Sequence, residues 1–216
     1  ALERLSHMRK VMIPTTRSLG QKTLALTRQG ELGQKFVENA RFQYQGITFV
    51  TLNIPGSNNN VILSDKECSK KSARTPEQCE QSNAEAVERD AANIAWLHAA
   101  FEQAKAQKSR GVVMVFQADP GFDIPETEDL DESQAPGVSG YRKFMAAVVN
   151  ETEQFAGQVL LVHGDTHRQQ IDQPLTDPAS GERLANFTRV ETFGWPFFGW
   201  VLGTVDARDP KVFRFV

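Results

Sequence analysis

Three runs of apolar residues punctuate the chain: Ile47 to Ile54, Gly111 to Phe116 and Val159 to Val162. Each is rich in β-branched side chains, is short for a helix and gives way to polar turn formers, so each reads as a buried β-strand. Between them the period changes. Val87, Ala91, Ile94, Leu97, Phe101 and Ala104 recur at three- and four-residue spacing, as do Tyr141, Phe144, Met145, Val148, Val149, Thr152 and Phe155. The spacing predicts two amphipathic helices. The first is expected to begin at a capping box, Ser82-Asn83-Ala84-Glu85, in which serine and glutamate satisfy each other's backbone donors, and to end near Gln107. His98 falls at the margin of its apolar face and reads as a boundary or surface residue.

Weaker patterns flank this core. Leu5, Met8 and Met12 share one face of a short helix over Leu2 to Met12, stopped by Pro14; Thr15 to Gln45 reads as loops with short strands. Ser57 to Asn60 is a polar loop after Pro55-Gly56. Phe187 to Phe193, Trp200 to Val205 and Val212 to Phe215 are strand-like, and the turns at Gly194-Trp195-Pro196 and between Asp206 and Pro210 suggest an antiparallel finish. The expected fold is α/β: a layered mixed sheet with flanking helices and an antiparallel C-terminal meander, in one domain over residues 1–216.

Composition narrows the function classes. With 216 residues, 40% of them hydrophobic and 24% charged, the chain has the make-up of an ordinary soluble globular protein. A formal net charge of -3 gives no basic footprint, which argues against nucleic acid or an anionic membrane surface and for a small substrate or a protein partner. No apolar run approaches the roughly 18 residues of a membrane span. No signal-peptide pattern opens the chain. It begins at Ala1, so the native start is expected to have been processed or removed. Cys68 and Cys79 lie eleven positions apart in a polar segment that reads as a surface excursion. They are either a local disulfide, fitting a periplasmic or secreted protein, or two free thiols. Asp123 to Gly137 is acidic and reads as an exposed loop, without the spacing of a calcium loop.

Candidate chemistry gathers at strand ends. The third strand runs into His163-Gly164-Asp165-Thr166-His167, and in α/β sheets ligands sit outside the carboxyl ends of strands. In a turn, Asp165 and His167 can converge on one divalent ion, and imidazole with carboxylate suits Mn, Fe or Zn. Such an ion activates bound water or clamps a phosphoryl oxygen. The alternative is a tight Gly164-Asp165 turn whose histidines satisfy buried backbone groups. Gln117 and Asp119 crown the second strand as ligand-orienting groups or as a polar cap. Asn58 and Asn59 either donate amide hydrogens to an anionic substrate or close a turn. There is no Gly-x-Ser-x-Gly elbow, phosphate-cradling loop or dinucleotide fingerprint.

The element order, with strands ending in Gln117-Ala118-Asp119-Pro120 and in His163-Gly164-Asp165-Thr166-His167, resembles the C-terminal half of calcineurin-like metallophosphoesterases. Leu2-Glu3-Arg4-Leu5, Gly56-Ser57-Asn58-Asn59, Ala95-Trp96-Leu97 and the run Asn186 to Gly194 are similar to an uncharacterised, mostly bacterial branch. The resemblance implies part of an α/β/β/α sandwich and hydrolysis of phosphate mono- or diesters at a dinuclear metal site. It implies metal binding by His167 and Asp165, acid, base or ligand roles for His163 and Asp165, and a small phosphorylated substrate near Asn58, Asn59 and Gln117. Two of the family's histidines are replaced, by Gln117 and Asp165. Its Gly-Asp-x-x-Asp and Gly-Asn-His-Glu motifs do not occur, and the one Asp-x-His is Asp165-Thr166-His167 itself. The chain is therefore expected to be weak or inactive alone. The rival expectation is a non-catalytic binding or scaffolding domain. A sheet face lacking its partner layer is expected to be covered by a second copy or by the missing N-terminal half.

Overall fold

The computed structural model describes residues 2–72, 74–122, 136–206 and 208–216; residues 123–135 of the acidic stretch lie outside them. Its centre is a seven-stranded mixed sheet in the order β1-β2-β3-β4-β5-β7-β6. The strands are β1 (Thr27–Arg28), β2 (Ala40–Tyr44), β3 (Ile47–Thr51), β4 (Gly111–Val115), β5 (Gln158–His163), β6 (Gln170–Asp172) and β7 (Phe187–Glu191). The three apolar runs form β3, β4 and β5, which lie parallel and adjacent, with Ile47 beside Gly111 and Gly111 beside Gln158. Parallel strands are covered on both faces, and this is why they read as continuous rather than alternating apolar runs. The first run outlasts β3, which ends at Thr51, yet it keeps its neighbour: the Leu52 N–H donates to the Val115 carbonyl at 3.0 Å and the Ala118 N–H to the Ile54 carbonyl at 3.1 Å.

Side chains alternate between the two faces. Val50, Val112, Met114, Val159, Leu161 and Phe187 meet the helical layer, α4 (Pro76–Ala106) and α5 (Arg142–Glu153), through Leu97, Ala100, Phe101, Phe144 and Val148. Ile47, Val113, Leu160 and Val190 face the other way, under Val212 and Phe213. That second cover is a small antiparallel pair, β8 (Gly203–Val205) with β9 (Phe213–Phe215). The layers are thus helices, large sheet and small sheet. The antiparallel finish starts later than expected, because β7 joins the large sheet parallel to β5. Only β6 pairs with it antiparallel.

Four local expectations are corrected. The long helix does not start at Ser82, which is buried inside it. It starts at Thr75, whose side chain and that of Gln78 form the capping box, with Pro76 pre-setting the first turn. Its buried face is turned relative to the expected stripe. Val87 is 67% exposed while Arg89 and Asn93 point inward, because the helix packs a polar patch as well as an apolar one. The cysteine segment is helical, α3 (Asp65–Ser72) followed by the start of α4, and a Cys68–Cys79 disulfide joins them with both residues buried. In α1 (Leu2–Met12), Met8 and Met12 are exposed. Arg9 is the anchored residue, bound to Glu38 at 2.6 and 2.8 Å. Among the described residues no helix is long and apolar enough to cross a membrane.

Candidate functional site

The parallel strands deliver four chain exits to one edge of the sheet. After β3 the chain makes a single left-handed turn, α2 (Gly56–Asn59), in which Ser57, Asn58, Asn59 and Asn60 have φ of 55°, 57°, 55° and 60°. Left-handed backbone costs an L-residue roughly 1–2 kcal/mol, and asparagine tolerates it better than most. Four such residues in a row therefore need support from outside the turn.

Arg89 supplies it. Its buried guanidinium donates to the Asn59 carbonyl at 2.9 Å, to the Asn53 carbonyl at 3.2 Å and to the Asn59 side-chain oxygen, and it pairs with Glu85 at 2.9 Å. Asn93 adds a bond to the Asn53 carbonyl at 2.9 Å. On the far side lies the 3-10 turn Pro136–Tyr141. The Gly140 N–H donates to Asn58 Oδ1 at 2.7 Å, Asn59 Nδ2 donates to the Gly140 carbonyl at 3.0 Å, and the Tyr141 hydroxyl donates to the Pro55 carbonyl at 3.0 Å. Burial, reinforced by the charges of Asp165 and Asp119, raises the Tyr141 hydroxyl to about 12. Asn58 and Asn59 are 8% and 1% exposed. Their amides brace the turn, and contact with a substrate would require those bonds to be exchanged.

The turn's leading residue touches the next two exits. Gly56 N–H donates to Gln117 Oε1, Gln117 Nε2 donates to Asp165 Oδ1 at 2.9 Å, and the Asp119 N–H donates to Asp165 Oδ2 at 3.1 Å. A Cβ at position 56 would stand 2.6 Å from Asp165 Oδ1, so only glycine lets the carboxylate sit there. Asp119 also caps its own turn, accepting from the Gly121 and Phe122 N–H groups. Gln117, Asp119 and Asp165 thus meet as one hydrogen-bonded cluster.

His167 stands at the same edge but on another loop. Its Nδ1 lies 2.6 Å from the Trp195 carbonyl, so that nitrogen carries the proton and donates. Asp165 and His167 both have positive φ, 88° and 67°, which turns the chain sharply between them. His163 does not join them. It is 2% exposed at the end of β5, packed against the Phe116 and Phe122 rings, with Nδ1 2.9 Å from the Gly164 carbonyl. Beneath the loop, Thr166 donates to the fully buried Glu191 at 3.1 Å through its N–H and again through its hydroxyl. Arg189, equally buried, binds Asp172 at 2.6 Å and lies 3.7 Å from Glu191.

The residues present do not fit a resident ion. Among the described residues, no three His, Cys, Asp or Glu side chains gather so as to hold one. Both oxygens of Asp165 already accept protein hydrogen bonds. The cluster thus sets two carboxyl side chains, Asp119 and Asp165, at the edge where the His167 imidazole stands.

The supporting residues escaped sequence reasoning. Arg89 and Glu85 lie four apart on a helix, a visible pair, but nothing in the spacing says that it is buried. Arg189 and Glu191 were more accessible: two charges two residues apart in a strand share a face, and once β7 lies inside the sheet that face must pair them.

No family model matches the sequence, and no curated protein is similar to it. Among solved structures, that of PhoD is similar at 14% identity with a TM-score of 0.40. The match covers 76% of this chain and spans about 30% of the length of that one.

Proposed function

We propose that this chain is a metallophosphoesterase-like domain whose carboxyl-edge cluster of Gln117, Asp119, Asp165 and His167 serves ligand binding. Hydrolysis of phosphate mono- or diesters is beyond its residues acting alone. The observation that carries this reading is the engagement of Asp165. Its two oxygens accept from Gln117 and from the Asp119 N–H, so an ion would have to displace both. One feature favours the catalytic alternative. Asp165 and His167 share a sharp turn beside Asp119, so ligands contributed by another segment or chain would find two or three donors waiting for Mn, Fe or Zn. In that case a small phosphorylated substrate would lie over the cluster.

Two further proposals accompany it. The Cys68–Cys79 bridge supports a periplasmic or secreted location. The exposed aromatics beyond β7, with Trp195 76% and Phe198 90% exposed, support coverage of that corner by a second copy or by a missing N-terminal half.

Elemental mass spectrometry on the purified chain, with His167→Ala as control, tests the main reading. The expected result is no stoichiometric Mn, Fe or Zn after incubation with excess ion, and no cleavage of nitrophenyl phosphate mono- or diesters above background. Retained metal that disappears in His167→Ala, with ester cleavage, would establish the enzyme instead.

A further inference from the structure

A cleft of about 280 Å³ opens between α4, the segment after the left-handed turn, and the start of α5, away from the carboxyl-edge cluster. That is just below the roughly 300–1,000 Å³ of drug-sized sites and suits a smaller ligand. Its walls are aliphatic, from Val61, Val87 and Ile94, and its two charged side chains, Asp90 and Lys143, come from different helices.

Asp90 is the unusual member. Its Oδ1 is buried and has no hydrogen-bond partner among the described residues. A carboxylate oxygen out of water without a donor costs free energy, and such groups are otherwise satisfied in folded proteins. The charges of Lys143 and, less strongly, Arg89 act on the Asp90 carboxyl, yet its buried Oδ1 accepts from neither. Arg89, next to Asp90 in sequence, is turned the other way and committed to Asn59, Asn53 and Glu85. The cleft therefore holds a buried acceptor lacking a donor, an ammonium at its solvent-facing rim, and aliphatic surface beside them.

We propose that this cleft binds a small zwitterion with an aliphatic body, of the class of a branched-chain amino acid. The ligand's ammonium donates to Asp90 Oδ1, its carboxylate accepts from Lys143 Nζ, and its hydrocarbon lies on Val61, Val87 and Ile94. A simple amine would satisfy Asp90 but meet Lys143 as a like charge. A simple acid would pair with Lys143 and leave Asp90 unsatisfied. Opposite charges at the two ends answer both, through two charge-assisted hydrogen bonds.

The test is titration of the isotope-labelled full chain with leucine, isoamylamine and isocaproate, following the backbone amides of Ala91, Ser139 and Gly140. Leucine is expected to give saturable shifts at these amides and to bind about tenfold or more tighter than either single-charge analogue. Asp90→Asn and Lys143→Met should each weaken leucine by a similar factor. Lys143 is solvent-exposed on α5, so its variant carries the test if Asp90→Asn fails to fold. Absence of saturable leucine shifts overturns the proposal. So does an analogue that binds as tightly as leucine, or unchanged affinity in Lys143→Met.

Discussion

The corner formed by the turn after β3 and the corner formed by the exits of β5 and β7 share one sheet edge but are held in opposite ways. At the first, the backbone is strained through four left-handed residues, and the turn is clamped from both sides: Arg89 binds Asn59, Gly140 binds Asn58, and Asn93 and Tyr141 hold the preceding Asn53 and Pro55 carbonyls. At the second, Asp165 and His167 are also left-handed, but each is fixed by one or two bonds. The neighbouring Trp195, Phe197, Phe198 and Trp200 stand largely exposed. Strain at the first corner is contained by a finished interior. The second corner carries the imidazole and carboxylate chemistry on loops that the described residues leave open.

The largest expected effect tests whether the first corner is rigid for the reason given. Arg89→Met keeps the aliphatic stem and removes the guanidinium, leaving Glu85 unpaired, the Asn59 carbonyl without its donor and the Asn53 carbonyl with the Asn93 amide alone. Breaking a buried charge pair from one side costs about 3–5 kcal/mol, read as a lowered urea midpoint. A loss below about 1 kcal/mol, the worth of an ordinary hydrogen bond, would mean that the turn holds itself.

Gly56→Ala comes next and acts on the joint between the corners. Its methyl would meet Asp165 Oδ1 at 2.6 Å, so the carboxylate must swing out and release Gln117 and the Asp119 N–H. The expected cost is about 1–3 kcal/mol, that of overpacking a well-fitted site. Released from its donors, Asp165 would be freer to take an ion. Calorimetric titration of Mn against this variant and its parent checks that direction, and equal behaviour would show that the Asp165 bonds do not limit metal binding.

These residues also show where sequence is a good guide and where it fails. β3, β4 and β5 are legible because strands buried on both faces have no choice but to be apolar along their length. The start of α4 lies earlier than expected because Ser82-Asn83-Ala84-Glu85 has the right letters in the middle of a helix, while Thr75-Pro76-Glu77-Gln78 falls inside the cysteine segment that reads as a surface excursion. The cluster positions Gln117, Asp119, Asp165 and His167 are visible as polar residues at strand ends. Their partition is not. Whether His163 joins His167 or turns inward depends on the pleat of β5 and the positive φ of Asp165, which the spacing does not encode. The Asn58 and Asn59 amides looked available because a polar loop predicts exposure. Burial of Arg89 reverses that inference, through a residue 30 positions downstream of Asn59.

A smaller effect distinguishes the interior of the first corner by pH. Tyr141 is buried and donates to the Pro55 carbonyl, and its hydroxyl is raised to about 12, against about 10 for an unfolded tyrosine. The folded state holds this proton more tightly than the unfolded chain. Its contribution to stability is therefore complete below about pH 10 and is lost as pH rises towards 12. Tyr141→Phe should flatten that alkaline loss while costing about 1 kcal/mol at neutral pH for the missing bond. Denaturation midpoints measured across the alkaline range check the slope. An unchanged slope in the variant would place Tyr141 in contact with water and the corner in exchange with it.

The smallest expected change in stability belongs to the second corner and sharpens the contrast most directly. Phe198 is 90% exposed and Trp200 77%, so neither contributes much burial to the isolated chain. Phe198→Ser should alter the urea midpoint by no more than about 0.5 kcal/mol, the range for surface substitutions. Its effect should appear in association: sedimentation at rising concentration should show the parent self-associating more than the variant, because the substitution interrupts the exposed aromatic patch. Greater instability, near the 2–5 kcal/mol of a core truncation, would make Phe198 part of the folded interior. The second corner would then be as finished as the first, and its exposed aromatics would no longer argue for a covering partner.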